Sequence, residues 1–228
     1  MCSHSFLLLL LLALLHTNSA YSPPSPLSCA ASILKLSKST SCVEVEFPAL
    51  SSQNALGDGS RRSEERARAV NEGFARGLLA GLRSPLVLLK GQAPVKAQLY
   101  TKGASLVPST AYVFVCPATS AAYSAVKQVS ATNLCVLVNA QAKDPRSLPA
   151  GALSAYYSKL LTYNSEVIGR LERAFPGDWT VTAEGAGGKG VLGSFTDEEI
   201  LVPRTNTPDL RGAVALVQKR YSDRARGL

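Results

Sequence analysis

Histidine is almost absent from this chain, and its absence removes several classes of active site. The two histidines are His4 and His16, so none follows residue 16. A Ser-His-Asp triad, a Cys-His nucleophile and histidine-bound zinc or iron all require this side chain. The five cysteines also lack Cys-x-x-Cys spacing. We therefore predict no catalytic residue, no metal and no cofactor, which favours a protein that is not an enzyme.

Acidic residues are missing from the first 42 positions, which include an apolar run at residues 6–15. This run is too short to cross a bilayer, which takes about 20 residues, and is typical of a signal peptide. Residues 21–42 contain seven serines and two lysines, as a chloroplast transit peptide does. We predict a signal peptide at 1–20, a transit-like peptide at 21–42 and delivery to the plastid stroma through the secretory pathway. The alternative is a secreted protein with a Pro/Ser-rich amino-terminal tail.

Basic residues outnumber acidic ones in the remaining 186 residues, by 22 to 16. This length suits one domain with a sizeable core, which we place at 43–228. No acid lies between Glu72 and Asp144. Such a basic span attracts acidic proteins, phosphates or anionic lipid surfaces, and the alternative is a set of ordinary solvated charges. Arginine-rich runs typical of RNA-binding proteins are absent, so we expect no nucleic acid partner.

The first half of this domain alternates predicted strands and helices. Residues 42–47 alternate apolar and acidic side chains, which predicts a strand with Glu44 and Glu46 on one face. A helix follows Ser60, because apolar residues recur there every three or four positions, at Ala67, Val70, Phe74 and Leu78. We also predict strands at 95–101, 111–116 and 133–139 and a crossover helix at 121–130.

The second half is less regular. Residues 148–175 are ambiguous, and we favour a helix at 165–174. Residues 179–184 and 191–195 alternate large apolar and polar side chains across a glycine-rich connection, which predicts an antiparallel hairpin. A final helix starts at 207–209. Together these elements predict an α/β fold: a single Rossmann-like three-layer domain with a mixed, mostly parallel sheet and a C-terminal antiparallel hairpin.

Ligands of open α/β sheets bind beyond the carboxyl ends of the parallel strands. Two of the predicted strands end near 117–119 and 139–141, so Thr119, Asn139 and Gln141 are our candidate ligand-binding residues. Ordinary loop capping is the alternative. The glycine-rich segment 185–190 contains a lysine but no Ser or Thr for magnesium, which favours a hairpin turn over a phosphate-binding loop. The acidic run 197–199 is typical of a solvated turn.

Cys116 and Cys135 both lie inside apolar segments. This is typical of buried free thiols in a reducing compartment. The alternative is a redox-switched disulfide between them, which requires both sulfurs on one face of the sheet.

Several short motifs together resemble a known family. They are Val-Glu-Phe-Pro at 45–48, Val-Phe-Val-Cys-Pro at 113–117, Val-Leu-Val-Asn at 136–139 and Phe-Pro-Gly-Asp-Trp at 175–179. Their order across residues 43–222 resembles the plant and algal plastid domain of unknown function 1995 family. The resemblance implies a soluble plastid protein without an established catalytic site. Members include a helper for photosystem II assembly, and the domain also occurs fused to adenylate kinase.

We therefore expect a non-enzymatic plastid accessory or assembly protein that assists photosystem biogenesis. Its expected partners are plastid proteins, including thylakoid or photosystem subunits, with peripheral membrane contact and no transmembrane anchor in the mature chain. The alternative is a small-molecule or nucleotide-binding enzyme with its site at the carboxyl ends of the parallel strands.

Overall fold

The computed structural model describes residues 23–50, 61–84, 95–141, 148–164, 166–184, 190–203 and 207–225. The predicted signal peptide at 1–20 lies outside these ranges, as do residues 185–189 of the glycine-rich segment. In chain order the elements are α1 (Pro26–Leu36), β1 (Cys42–Glu46), α2 (Arg61–Arg83), β2 (Lys96–Leu99), β3 (Thr110–Val115), α3 (Ser120–Ser130), β4 (Cys135–Val138), β5 (Leu153–Tyr163), β6 (Glu166–Ala174), β7 (Trp179–Ala183), β8 (Gly190–Phe195), α4 (Asp197–Ile200), β9 (Leu201–Val202), β10 (Thr207–Pro208) and α5 (Leu210–Ala225).

Eight strands form one mixed sheet in the order β2-β3-β4-β1-β5-β6-β7-β8. The first five strands in this order pair in parallel, and β5 to β8 pair antiparallel. The short strands β9 and β10 form a separate antiparallel pair. The predicted α/β class, with a mixed sheet and the hairpin β7–β8, is confirmed.

Helices cover both faces of the sheet. Successive side chains of β1 point to opposite faces, so β1 contributes to a core on each side. Val43 and Val45 join one core with α1 and α2, where Leu78 is fully buried. Cys42 points to the opposite face and joins a second core with α3. A third core packs α5 against β5 to β7 and includes the buried Trp179.

Helix α1 lies within residues 21–42, which the sequence suggested are a transit-like peptide. Its residues Ala30, Ile33 and Leu34 are at most 2% exposed and pack in the core shared with α2. The Ser32 hydroxyl also donates a hydrogen bond of 2.7 Å to the carbonyl of Phe175. The folded domain therefore begins before residue 43, where the sequence placed its start, because α1 contributes apolar side chains to the core.

The prediction of a helix at 165–174 is wrong. Residues 166–174 form β6, which pairs antiparallel with β5 and β7. Four consecutive residues, 168–171, are buried, so the strand loses the period-two pattern of a half-buried strand. Ile168 and Leu171 then stand three apart, which imitates a helical period.

The final helix is confirmed, but it begins at Leu210. The Asp209 carboxylate accepts hydrogen bonds of 3.1 and 3.0 Å from the backbone N–H groups of Arg211 and Gly212, which caps the first turn. Thr207 and Pro208 belong to β10 instead.

None of the helices in the described ranges is both long and apolar enough to span a membrane.

Candidate functional site

A cavity of about 840 Å³ opens at the carboxyl end of the parallel strands, beside the amino-terminal half of α2. We call it the edge cleft. Leu99 and Val115 come from the ends of β2 and β3, and Gln141 follows β4. The remaining lining residues are Glu64, Ala67, Arg68, Asn71, Glu72, Arg76, Tyr100, Thr101, Val113 and Cys116. The edge cleft therefore lies where an open α/β sheet usually binds its ligand.

A hydrogen-bonded network lies under the edge cleft. The Asn139 side chain accepts a bond of 2.7 Å from the backbone N–H of Phe47 and donates one of 2.6 Å to the Asn71 carbonyl oxygen. Asn71 in turn donates through its amide nitrogen to the Cys116 sulfur at 3.0 Å. These bonds connect the ends of β1, β3 and β4 to α2, so they hold the floor of the cleft in place.

Two residues of this network have left-handed backbone conformations. Cys116 has φ 47° and Asn139 has φ 49°. Such conformations cost on the order of 1 kcal/mol or more in residues other than glycine, and they cluster at binding and active sites. The backbone turns sharply at two neighbouring strand ends, both beside one cavity.

The three ligand-binding candidates are placed differently. Gln141 is exposed and lines the edge cleft. Asn139 lies beneath the cleft and supports Asn71. Thr119 caps α3, where its hydroxyl accepts a hydrogen bond of 3.2 Å from the N–H of Ala122, and it is not among the residues lining the cleft. Ligand binding by all three stays a prediction.

Asn71 was not among the candidate residues predicted from the sequence. It is 5% exposed and lies on the same side of α2 as Phe74 and Leu78, three and seven residues further on. A polar residue at a buried helical position needs a hydrogen-bond partner, so its place in the apolar stripe was the available signal. Its partners could not be found in the same way, because Asn139 is 68 residues away.

The Cys116 thiol is the nucleophilic side chain of this network. Burial raises its pKa, and the hydrogen bond from Asn71 acts in the opposite direction. The thiol therefore stays protonated near neutral pH, which disfavours a thiolate nucleophile.

The disulfide considered between Cys116 and Cys135 does not fit the strand register. Cys135 pairs with Tyr112, four residues before Cys116. Four residues of strand span about 13 Å, whereas disulfide-linked Cα atoms lie about 4.4–6.8 Å apart. The disulfide alternative is therefore wrong, and both cysteines are free thiols, as the sequence favoured. The register partner of Cys135 on its other side is Cys42, and the described cysteines are all free thiols.

In the part of the chain that the structure describes, no three His, Cys, Asp or Glu side chains are grouped so that they could hold a metal ion. A scan against models of known protein families finds no match, and searches of curated proteins and of solved structures find no similar protein. The edge cleft is thus interpreted from its own geometry.

Proposed function

We propose that this protein is a small-molecule-binding α/β domain whose ligand occupies the edge cleft. The observation that carries the proposal is the Asn71–Cys116–Asn139 network, with its two left-handed residues, under a cavity at the carboxyl ends of the parallel strands. Ligand pockets commonly measure about 300–1,000 Å³, and the cleft falls within this range. This is the binding half of the alternative function derived from the sequence.

The lining suggests a polar organic molecule that also has an apolar part. Leu99 and Val115 give the floor an apolar surface, while Glu72 and Arg76 form an ion pair of 3.6 Å at the rim. Arg68, one turn earlier, forms no ion pair within the described residues and is available for an anionic group. Tyr100 is held in place by stacking on Phe114, with ring centroids 4.3 Å apart.

A thermal-shift screen of nucleotides, sugar phosphates, and keto and amino acids tests the proposal. A ligand at 100 times its Kd stabilises the native state by about 2.7 kcal/mol, which gives a clear rise in Tm. We expect Gln141→Ala and Arg68→Ala to reduce the rise. Gln128→Ala is the matched control, because Gln128 is exposed on α3 and does not line the cleft. A panel without any stabilising compound, or a shift that survives both cleft substitutions, contradicts the proposal.

The role of a plastid accessory protein stays a separate proposal from the sequence. Two residues of the acid-free span have partners within the domain: Arg76 forms an exposed ion pair with Glu72, and Arg83 donates a bond of 2.9 Å to the carbonyl of Ala97. Fluorescent reporters behind residues 1–22 and 1–45 test the targeting. Plastid import of the longer fusion supports the proposal, and secretion of both fusions to the medium contradicts it.

A further inference from the structure

A second cavity, of about 290 Å³, lies on the opposite face of the sheet from α1 and α2. We call it the carboxylate cavity, because Glu44 and Glu46 of β1 form part of its lining. Leu148 and Leu210 contribute apolar walls, and Leu210 begins α5. Val43 and Val45 point into the core below α1, so the alternation of β1 directs both glutamates to this side.

The charged groups around the cavity are paired except for one. Glu46 lies 3.5 Å from the Lys159 ammonium. Arg173 and Asp197 form a tighter pair at 2.8 Å, and the Trp179 indole N–H donates a bond of 2.7 Å to the same carboxylate. The sequence predicted a solvated turn at 197–199, but these residues form the start of helix α4, and Asp197 lines the cavity. Glu44 forms no hydrogen bond or ion pair within the described residues.

A second polar group beside Glu44 also lacks a partner. Ser154 is the register neighbour of Glu44 on β5. Its hydroxyl oxygen is buried, has no hydrogen-bond partner and belongs to a residue that lines the carboxylate cavity. A buried hydroxyl without a partner is destabilising, so a ligand that bonds to it removes that cost.

Glu44 changes its charge close to neutral pH. Burial, together with the neighbouring Glu46, raises the pKa of Glu44 from 4.5 to about 7. Burial raises the pKa of Glu46 as well, and Lys159 opposes that rise. Besides Cys42 and Glu46 on its own strand, the groups that face Glu44 or share its cavity are Tyr123, Tyr157, Lys159, Arg173 and Asp197.

We propose that the carboxylate cavity binds a small organic cation of the primary alkylammonium class. The ammonium donates hydrogen bonds to the Glu44 carboxylate and the Ser154 hydroxyl oxygen, and a short alkyl chain packs on Leu148 and Leu210. Three acids and two bases line the cavity, so one positive charge balances it. When the cation binds to protein with protonated Glu44, one proton leaves to solvent. The proposal does not depend on the edge cleft.

Calorimetric titration of the full chain with propylammonium, and with uncharged 1-propanol as the control ligand, tests this inference. We expect propylammonium affinity to rise about tenfold per pH unit up to pH 7 and to level off above it. Proton release makes the measured enthalpy depend on the ionisation enthalpy of the buffer below pH 7. Propanol is expected to bind at least tenfold more weakly at pH 8.

Variants assign the binding to the cavity. Glu44→Gln should weaken propylammonium binding at least tenfold, and Ser154→Ala should weaken it severalfold. Glu198→Gln is the control, because Glu198 is an exposed acid next to Asp197 that does not line the cavity. Circular dichroism verifies that each variant is folded. The proposal is overturned if propylammonium does not bind at pH 8 or if its affinity does not change with pH. Full binding by a folded Glu44→Gln variant overturns it as well.

Discussion

Asn139 combines an unusual backbone conformation with a structural use of its side chain. Its φ of 49° is tolerated better by Asn than by most other residues, and its amide bonds both Phe47 and Asn71. Removal of the side chain leaves the Phe47 N–H and the buried Asn71 without their partner. An unsatisfied buried group of this kind costs about 1–3 kcal/mol.

Two substitutions of Asn139 separate these effects. We expect Asn139→Gly to lose about 1–3 kcal/mol of unfolding free energy, because it removes the hydrogen bonds and keeps the backbone conformation free of strain. Asn139→Ala should lose about 1 kcal/mol more, because its Cβ is strained at positive φ. Urea denaturation measures both values. Asn164 shares the φ of 49° in an exposed turn, so Asn164→Gly should change little. Equal stabilities for the two Asn139 variants contradict the backbone explanation.

Glu44 links stability to pH at the scale of one side chain. Its folded-state pKa of about 7 exceeds the ordinary value of 4.5, so the folded protein holds this proton more tightly than the unfolded chain. The resulting stability is fully present below pH 4.5, declines as pH rises and is lost above pH 7. A shift of this size corresponds to a loss of about 3 kcal/mol.

The variant Glu44→Gln isolates that contribution. It keeps a neutral side chain of the same size, so its unfolding free energy should fall less between pH 4.5 and 7 and exceed that of the wild type at pH 8. Guanidinium denaturation at a series of pH values measures the difference. Parallel stability curves for the two proteins exclude a raised pKa at Glu44.

At the scale of elements, the packing of β6 depends on Gly169. A Cβ atom added there would collide with the carbonyl oxygen of Thr182 on β7 and lie 3.0 Å from a methyl of Val217 on α5. The glycine therefore permits the close approach of β6, β7 and α5.

A larger residue at position 169 should weaken the packing of β6 against β7 and α5. We expect Gly169→Ala to cost roughly 1–3 kcal/mol of unfolding free energy, the usual range for overpacking. Gly190→Ala serves as the control, because Gly190 also lies in the antiparallel part of the sheet and has open space around its Cβ position. Denaturant unfolding monitored by the fluorescence of Trp179, the single tryptophan, reports on both. Equal stability of the two variants contradicts this account of the packing.

Helices and strands could be predicted from the sequence where one face of the element is buried and the other is exposed to solvent. Helix α2 satisfies this condition with Phe74 and Leu78 on its buried side, and β7 satisfies it with alternating buried residues. Strand β6 does not, because both of its faces are covered at 168–171. The serine-rich composition at 21–42 gave no sign of α1, a helix whose apolar side is buried in the core.

The site was predictable only from topology. The rule that ligands bind beyond parallel strands pointed to Gln141, which lines the edge cleft. Asn71 lies outside that rule, since it is brought there by the packing of α2. The pairing of Arg173 with Asp197 joins residues 24 positions apart on different elements, so no local pattern encodes it.

At the scale of the whole molecule, α1 decides where the folded domain can begin. The helix buries Cys29, Ala30, Ile33, Leu34 and Leu36 to 3% exposure or less. Complete burial of one large apolar side chain contributes about 1.5–3 kcal/mol. The three large aliphatic side chains among these five therefore contribute several kcal/mol, comparable with the about 5–15 kcal/mol that stabilise a whole domain.

Two truncated chains test this dependence. A chain starting at residue 23 should unfold with the same midpoint as the full protein, because it keeps every described residue of the helix. A chain starting at residue 43 should lose most of its cooperative unfolding transition and expose the α2 face, which binding of a hydrophobic dye detects. Leu27→Ala in the longer chain is a control for substitution within α1, because Leu27 is 54% exposed.

If the chain from residue 43 is as stable as the longer one, α1 is dispensable, and cleavage near Cys42 is compatible with a folded product. If it is unstable, a mature amino terminus near Cys42 would remove part of the core, and the domain must keep residues that resemble a transit peptide.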